Sequence, residues 1–159
     1  MPAGLRLRAA RSDEAELLLG LQKAAAVAAF AHIFPPEKYP FPDDAVLERW
    51  QTALADSEVE VVVAELDRCA VGLAAVRPEW LDGLYVTPDA WGTGVGARLH
   101  DHAVMRVRER GCTRCHLWVL EDNGRARRFY EHRGWQLNGK TRIVPFPPEP
   151  VDVGYTLEL

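Results

Sequence analysis

Three glycines at alternate positions, Gly92, Gly94 and Gly96, stand between a predicted strand and a predicted helix. Because glycine lacks a Cβ and adopts positive φ, successive backbone N–H groups in such a loop can converge on an anion. The helix N-terminus directly behind the loop adds unpaired N–H donors and the positive end of the helix dipole. This spacing predicts a loop that binds a pyrophosphate.

A second group of functional residues lies in residues 117–135, LWVLEDNGRARRFYEHRGW. Asn123 comes directly after a predicted strand, where its amide can cap the next helix or bind a ligand. Phe129 and Tyr130 lie in the last turns of that helix, where aromatic rings pack in the core and a phenol can reach solvent. Capping and core packing are sufficient to explain each of these residues taken alone.

Hydrophobic periodicity predicts the elements that position these residues. Residues 5–8 alternate as a half-buried strand, and Ser12 is a candidate N-cap for a helix to about residue 30. Four prolines make residues 34–44 a loop, which a second helix follows over residues 45–55. Further along, we expect a hairpin of strands 59–66 and 70–76, a strand at 81–86, a helix at 94–110, a strand at 115–120, a helix at 123–132 and closing strands at 135–138 and 152–159.

The composition is that of an ordinary globular protein, with 159 residues of which 48% are hydrophobic and 26% charged. The length fits one domain, and a net charge of −4 argues against general nucleic-acid binding. No apolar run reaches the roughly 18 residues of a membrane span, no signal peptide is visible, and three cysteines are too few for a disulfide framework. We therefore expect a cytoplasmic protein with no nucleic-acid or membrane partner and no bound metal.

The net charge hides an asymmetry along the chain. Residues 92–135 hold nine arginines and five acids, a net charge of +4, whereas the other 115 residues have a net charge of −8. The segment that contains both groups of functional residues is therefore also the one suited to an anion.

Together, the two segments resemble the GCN5-related N-acetyltransferase (GNAT) superfamily. The acyl-CoA loop of that family reads Gln/Arg-x-x-Gly-x-Gly/Ala, and this chain has Trp91-Gly92-Thr93-Gly94-Val95-Gly96. The family's next characteristic block is a strand, an Asn, a helix and Phe-Tyr-x-x-x-Gly-Phe/Trp, which Asn123 and residues 129–135 match. The order of elements agrees along nearly the whole chain. Trp91 departs from the pattern, although that position contributes mostly a main-chain amide.

The resemblance implies an α+β fold of three layers in a single domain, residues 1–159. Its sheet would be mixed, mostly antiparallel and twisted, with helices on both faces and about six to seven strands. Two central parallel strands, at residues 81–86 and 115–120, would splay apart and leave a gap between them.

The resemblance also implies transfer of an acetyl group from acetyl-CoA to a primary amine, directly in a ternary complex. The pantetheine arm of acetyl-CoA would lie in the gap as a pseudo-strand, paired with backbone groups of Leu84 and Val86. The amides of the glycine loop would hold the pyrophosphate. The residues assigned to the cofactor in this way are Leu84, Tyr85, Val86, Trp91, Gly92, Thr93, Gly94, Val95, Gly96, Ala97, Asn123, Arg125, Phe129 and Tyr130. The candidates for the ribose phosphate are Arg98, Arg125, Arg127 and Arg128.

Catalytic residues are implied by the same resemblance. Tyr130 matches the tyrosine with which the family protonates the departing thiolate. An alkylammonium with a pKa of about 10 must lose a proton before it can attack. The family often places a glutamate base on the strand before the glycine loop, but Trp80 holds that slot here. Its neighbours Asp82 and Glu79 are the candidates for the base.

The acceptor, a small-molecule or peptide amine, would enter between the loop at residues 34–44 and the Pro-rich residues 143–151. Candidates for the substrate pocket are His32, Phe34 and Trp80. Acidic side chains of the two loops would suit a cationic amine, and these are Glu37, Asp43, Asp44 and Glu149. The choice of acceptor and the presence of a homodimer are left open.

Two alternatives compete with this interpretation. A non-catalytic acyl-CoA-binding module would explain the missing glutamate. Gly92-x-Gly94-x-x-Ala97 also satisfies the fingerprint of a dinucleotide-binding protein, and Glu121 follows the next strand as a ribose-binding acid would. However, residues 87–91 separate the loop from the strand, whereas a dinucleotide fold places its glycine turn directly after the strand.

Overall fold

A seven-stranded sheet forms the centre of the computed structural model, which describes residues 3–159. The strands are β1 (Leu5–Ala9), β2 (Glu60–Leu66), β3 (Cys69–Arg77), β4 (Trp80–Val86), β5 (Arg114–Leu120), β6 (Gln136–Ile143) and β7 (Val151–Glu158). They run in the order β1-β2-β3-β4-β5-β7-β6, and every adjacent pair is antiparallel except β4 and β5. This confirms the predicted mixed sheet and excludes the doubly wound parallel sheet of a dinucleotide fold.

Helices cover both faces of the sheet, as predicted. They are α1 (Ala15–Ala29), α2 (Asp43–Ala55), α3 (Val95–Glu109) and α4 (Gly124–His132). On one face, α3 buries Val95 and Leu99 completely, and α4 packs beside it. On the other face, α1 and α2 bury Leu18 and Trp50 against Leu73 of β3. None of the helices within residues 3–159 has the length and apolar character needed to cross a membrane.

The parallel strands β4 and β5 pair at a single position within the described chain. Trp80 is opposite His116, whose backbone N–H donates to the Glu79 carbonyl at 2.8 Å. Asp82 has no partner in the β3–β4 ladder, and such a bulge bends the strand that contains it. All seven residues of β5 pair with β7 instead. The predicted splay is confirmed, and the gap opens toward the carboxyl ends of β4 and β5.

The first helix starts differently from the prediction. It begins at Ala15 with Glu14 in the N-cap position, so the prediction of Ser12 as the cap is wrong. Both Nη atoms of Arg8 donate to the Glu14 carboxylate, at 2.8 and 2.9 Å, and the Arg11 N–H donates at 2.7 Å. The bidentate pair ties β1 to α1, an interaction between elements that a local capping pattern does not contain.

The edge strand β6 continues to Ile143, whereas the sequence predicts an end at residue 138. Its ladder with β7 shifts register between Leu137 and Thr141, where Gly139 has a φ of 83°. The strand resumes beyond this irregularity, and the side chain of Arg142 donates to Asp152 of β7. The irregularity breaks the period-two alternation, which explains the early end predicted for the strand.

Glu14 provides a test of how β1 holds α1. Its side chain is 7% exposed, and its hydrogen bonds with Arg8 lower its pKa from 4.5 to about 2. A carboxylate with a lowered pKa stabilises the fold above pH 4.5, and this stabilisation is lost as the pH falls toward 2.

Glu14→Gln should therefore reduce the free energy of unfolding by about 2 kcal/mol at pH 7, because a buried charge-assisted bond is lost. The difference between the wild type and the variant should shrink as the pH falls below 4.5, where the wild type loses the same contribution. Urea unfolding of both proteins at pH 7 and pH 3 measures this difference. A difference that stays constant with pH would contradict the assignment.

Candidate active site

The glycine loop has the backbone that the sequence predicts. Gly92 and Gly94 have φ values of 75° and 91°, in the left-handed region that favours glycine, and Gly94 is the N-cap of α3. Two neighbours hold the loop from behind. The Thr93 hydroxyl donates to the Ala90 carbonyl, and Val95 is fully buried. The N–H groups at the start of α3 are therefore available to a ligand.

Trp91 occupies the position where the family usually has Gln or Arg. Its indole N–H donates to the Val86 carbonyl at 2.8 Å, which fixes the loop to the end of β4. The guanidinium of Arg125, from the first turn of α4, lies 3.7 Å from the centre of the indole ring. The departure at position 91 thus provides an aromatic platform for an arginine from another helix.

A cavity of about 410 Å³ lies beside this loop. The predicted cofactor residues that line it are Leu84, Tyr85, Val86, Trp91, Gly92, Gly94, Gly96, Ala97, Asn123, Arg125, Phe129 and Tyr130. Thr93 and Val95 do not line it, because they anchor the loop. We call this space the loop cavity.

Three of the four arginines predicted for the ribose phosphate do not line the loop cavity, and a different arginine does. Arg98, Arg127 and Arg128 are absent from its walls, and Arg127 donates to the Tyr155 hydroxyl at 2.9 Å instead. Arg133 lines the cavity, with its guanidinium 3.8 Å from the ring centre of Phe129. No local pattern distinguishes Arg133 from the other arginines, since its placement depends on packing against Phe129.

Backbone groups of β4 face the gap between the splayed strands. The Thr87 N–H donates to the Val71 carbonyl, so Val71 and Thr87 are a hydrogen-bonded pair that continues the β3–β4 ladder. Because such pairs alternate along an antiparallel ladder, the backbone groups of Leu84 and Val86 point away from β3, toward β5. The Val86 carbonyl accepts from Trp91, so the Val86 N–H and both groups of Leu84 remain for a ligand.

Asn123 combines the two roles that the sequence allows. Its side-chain oxygen accepts from the Ala126 N–H at 3.2 Å, which caps α4. The same residue lines the loop cavity and the larger cavity described below. Capping therefore fixes the residue at the place where the two spaces meet.

Tyr130 lies in a cluster of aromatic rings under the loop cavity. Its ring centre is 5.3 Å from that of Phe129 and 5.8 Å from that of Trp135. Trp135 donates its indole N–H to Nε2 of His100 at 2.9 Å, which locks the cluster to α3. Burial raises the pKa of Tyr130 well above its usual range. Within residues 3–159 its hydroxyl has no hydrogen-bond partner, so it is a protonated donor open to the cavities.

A second cavity, of about 1040 Å³, lies on the side of the sheet that α1 and α2 leave partly uncovered. We call it the acceptor cavity. Trp80 and Trp118 form part of its wall, with nearly parallel rings 6.3 Å apart. Phe34 also lines it, from the Pro-rich loop. His32 does not; its Nε2 lies 3.0 Å from the Asp122 carbonyl oxygen on the surface, so its prediction as a pocket residue is wrong.

The two candidates for the base differ in position. Asp82 lines the acceptor cavity and accepts from Nε of Arg77 at 3.1 Å. Glu79 is exposed and lines neither cavity. The expected acidic lining from the two loops is also wrong. None of those side chains lines the acceptor cavity, and Asp43 pairs with Lys23 at 2.9 Å.

The loop cavity and the acceptor cavity share one wall. The residues that line both are Ala26, Phe30, Leu84, Tyr85, Asn123, Ala126 and Tyr130. Ligands in the two spaces would therefore meet next to the Tyr130 hydroxyl, at the open end of the gap between β4 and β5. The alanine-rich end of α1 supplies small side chains that leave room there.

Comparison with known proteins agrees with this geometry. Residues 25–135 match the Acetyltransferase (GNAT) family. The chain belongs to this family. The matched range begins within α1 and ends after α4, so it includes the splayed pair, the glycine loop, Asn123 and Tyr130.

The individual relatives of this GNAT chain differ from it at most of the aligned positions. An uncharacterized N-acetyltransferase of Archaeoglobus fulgidus is 38% identical over 81 residues, which are 44% of this chain and 55% of that protein. A GCN5-related N-acetyltransferase from Rhodopseudomonas palustris superimposes with a TM-score of 0.81 at 22% identity, over 100% of this chain and 98% of that one. PaiA N-acetyltransferase from Thermoplasma acidophilum, solved with coenzyme A, gives 0.76 at 17% identity, over 98% and 99%. The two structures share the fold.

Proposed function

We propose that this chain transfers an acetyl group from acetyl-CoA to a primary amine by direct attack in a ternary complex. The observation that carries the proposal is the shared wall at Tyr130, where a cavity rich in backbone donors and arginines meets a cavity with aromatic walls. Direct transfer requires two ligands held in contact, in an orientation that the protein sets in advance. The open end of the β4–β5 gap provides such a place.

The loop cavity fits the donor by its chemistry. Backbone N–H groups at the start of α3 and the guanidinium groups of Arg125 and Arg133 suit phosphates. The outward-facing backbone groups of Leu84 and Val86 suit the amides of a pantetheine arm. Acetyl-CoA, when bound, supplies an acetyl thioester with a thiol leaving group. The coenzyme A complex of the T. acidophilum protein with the same fold supports this choice of donor.

The residues on either side of the shared wall supply the proton transfers. An amine entering from the acceptor cavity loses its proton to Asp82, directly or through water, since of the two candidate bases Asp82 has the suitable position. The amine nitrogen forms the new C–N bond while the C–S bond breaks, and a backbone N–H of β4 stabilises the carbonyl oxygen. Tyr130 donates its proton to the departing thiolate.

Tyr130→Phe removes this proton donor and should lower kcat about 100-fold, the lower end of general acid catalysis. Because its pKa is raised, the Tyr130 hydroxyl stays protonated as the pH rises from 7 to 9, so deprotonation of Tyr130 should not lower the wild-type kcat in this range. Steady-state kcat against pH for both proteins measures the effect, with the dissociation constant of acetyl-CoA as the control, which should not change. A variant with full turnover at pH 7 would remove Tyr130 as the acid.

Gly96→Ala tests the donor site separately from the chemistry. A Cβ at Gly96 would meet Val86 Cγ2 at 3.7 Å and Phe129 Cε2 at 3.8 Å, which are ordinary contacts that the fold accepts. The added methyl would nevertheless occupy the loop cavity. We expect acetyl-CoA to bind about tenfold more weakly, or about 1.4 kcal/mol, in calorimetry.

The matched control is Gly20→Ala in α1, where a Cβ meets nothing within 4 Å. This variant should gain up to about 1 kcal/mol in the free energy of unfolding, since alanine favours a helix, and should bind acetyl-CoA as the wild type does. Equal affinity in the Gly96→Ala variant, together with a free energy of unfolding that is not lowered, would place the donor elsewhere.

A further inference from the structure

The acceptor cavity has a net positive charge, although the part of the chain that supplies its charged side chains, outside residues 92–135, has a net charge of −8. Its charged side chains are those of Lys38, Arg49, Arg77 and Arg142 and, opposite in sign, those of Asp82 and Asp152. Cations exceed carboxylates by two. A cavity of this charge repels a simple alkylammonium and attracts a ligand that carries an anionic group.

Both carboxylates of the acceptor cavity are already paired. Asp82 accepts from Arg77 at 3.1 Å, and the buried Asp152 accepts from Arg142 at 2.9 Å. The guanidinium of Arg142 also lies 4.6 Å from the ring centre of Trp118, which holds it in place against the wall. Within each pair the two charges neutralise each other. The excess positive charge of the cavity therefore belongs to Lys38 and Arg49.

Arg49 is the better placed of the two cations. It projects from the middle of α2, a helix anchored on both sides of it by the buried Val46, Trp50 and Ala53. Its side chain is exposed, and none of the ion pairs within residues 3–159 includes its guanidinium. Lys38, in contrast, lies on the loop with its ammonium 5.4 Å from the ring centre of Tyr39. The charge of Arg49 also acts on the hydroxyl of Tyr85, a residue of the shared wall, and counteracts the rise in its pKa on burial.

The chemistry of an unpaired guanidinium limits what it can bind. Its planar fork of N–H donors matches a carboxylate in two parallel hydrogen bonds. Elsewhere the walls of the acceptor cavity include aromatic side chains, with Trp80, Trp118 and Phe41 among the lining residues. A ligand that fills this space therefore has an apolar body and an anionic end, while its amine reaches the shared wall at Tyr130.

We propose that the acceptor is an amino-carboxylate, a molecule whose primary amine is acetylated while its carboxylate binds Arg49. This inference rests on the proposed acetyl transfer and adds the class of acceptor. The binding energy of the carboxylate is then used to position the amine, which lies at the other end of the ligand.

A panel of α-, β- and ω-amino acids, each beside its own carboxamide, tests the proposal. Each pair differs in the anionic group and keeps the same body. We expect at least one acid to be acetylated with a kcat/KM about tenfold or more above that of its carboxamide, the value of one charge-assisted interaction. This preference should hold although a neighbouring carboxylate makes the amine harder to deprotonate.

Three variants assign the preference to Arg49. Arg49→Gln should lower kcat/KM for the preferred acid about tenfold or more and leave the carboxamide unchanged, whereas Arg49→Lys should retain part of the preference. Arg108→Gln is the matched control, because it removes the same charge from an exposed position of α3 that lines neither cavity. It should behave as the wild type does.

Calorimetry of the same acids and carboxamides, with the wild type and Arg49→Gln in the presence of coenzyme A, distinguishes failure of the amino-carboxylate proposal from failure of the proposed acetyl transfer. Turnover of acids and carboxamides with equal kcat/KM, unaffected by Arg49→Gln, overturns the amino-carboxylate while acetyl transfer stands. Absence of turnover with every amine overturns the acetyl transfer. In that case, binding of an acid that is tighter than binding of its carboxamide and that depends on Arg49 still supports the anion site, and equal binding overturns it.

Discussion

The structure depends on the way in which β4 and β5 are joined. One ladder position, Trp80 opposite His116, joins them, where the His116 N–H donates to the Glu79 carbonyl, and beyond it they diverge. An unpaired strand edge in the middle of a sheet normally costs free energy, since its N–H and C=O groups lack partners. Here these groups belong to Leu84 and Val86 and face the loop cavity. The unfilled ladder therefore leaves backbone groups that can pair with the amides of a chain-like molecule, which is the basis of the proposed donor site.

The glycine loop, the aromatic cluster and the end of α1 are arranged around that gap. Gly94 starts α3 at the end of the gap, and the Trp91 indole fixes the loop to the Val86 carbonyl at the end of β4. Tyr130 lies where the gap opens into the acceptor cavity. The ion pair of Arg8 with Glu14 fixes α1 at a distance from these groups, and α1 in turn forms one wall of both cavities. Stability and ligand binding thus depend on the same framework.

Local patterns predicted what depends on neighbours in the sequence. The Gly-x-Gly loop and the cap at Asn123 follow from residues a few positions apart, whereas the parallel pair and its splay were implied by the family resemblance. The predictions for Ser12, His32 and the acidic acceptor site were wrong because each depends on contacts between different secondary-structure elements. Glu14 accepts a hydrogen bond from Arg8, and His32 contacts the Asp122 carbonyl. The loop acids do not line the acceptor cavity, whereas arginines from α2, β3 and β6 do.

The central claim is that acetyl-CoA binds along β4 as an additional strand. Residue-resolved amide hydrogen exchange with and without acetyl-CoA tests it most directly. The account predicts that exchange at Leu84 and Val86, and at residues 92–97 of the loop, slows strongly when acetyl-CoA binds. Exchange at Arg6 of the far edge strand β1 should stay the same. Tight binding that leaves the amides of Leu84 and Val86 unprotected would contradict the account.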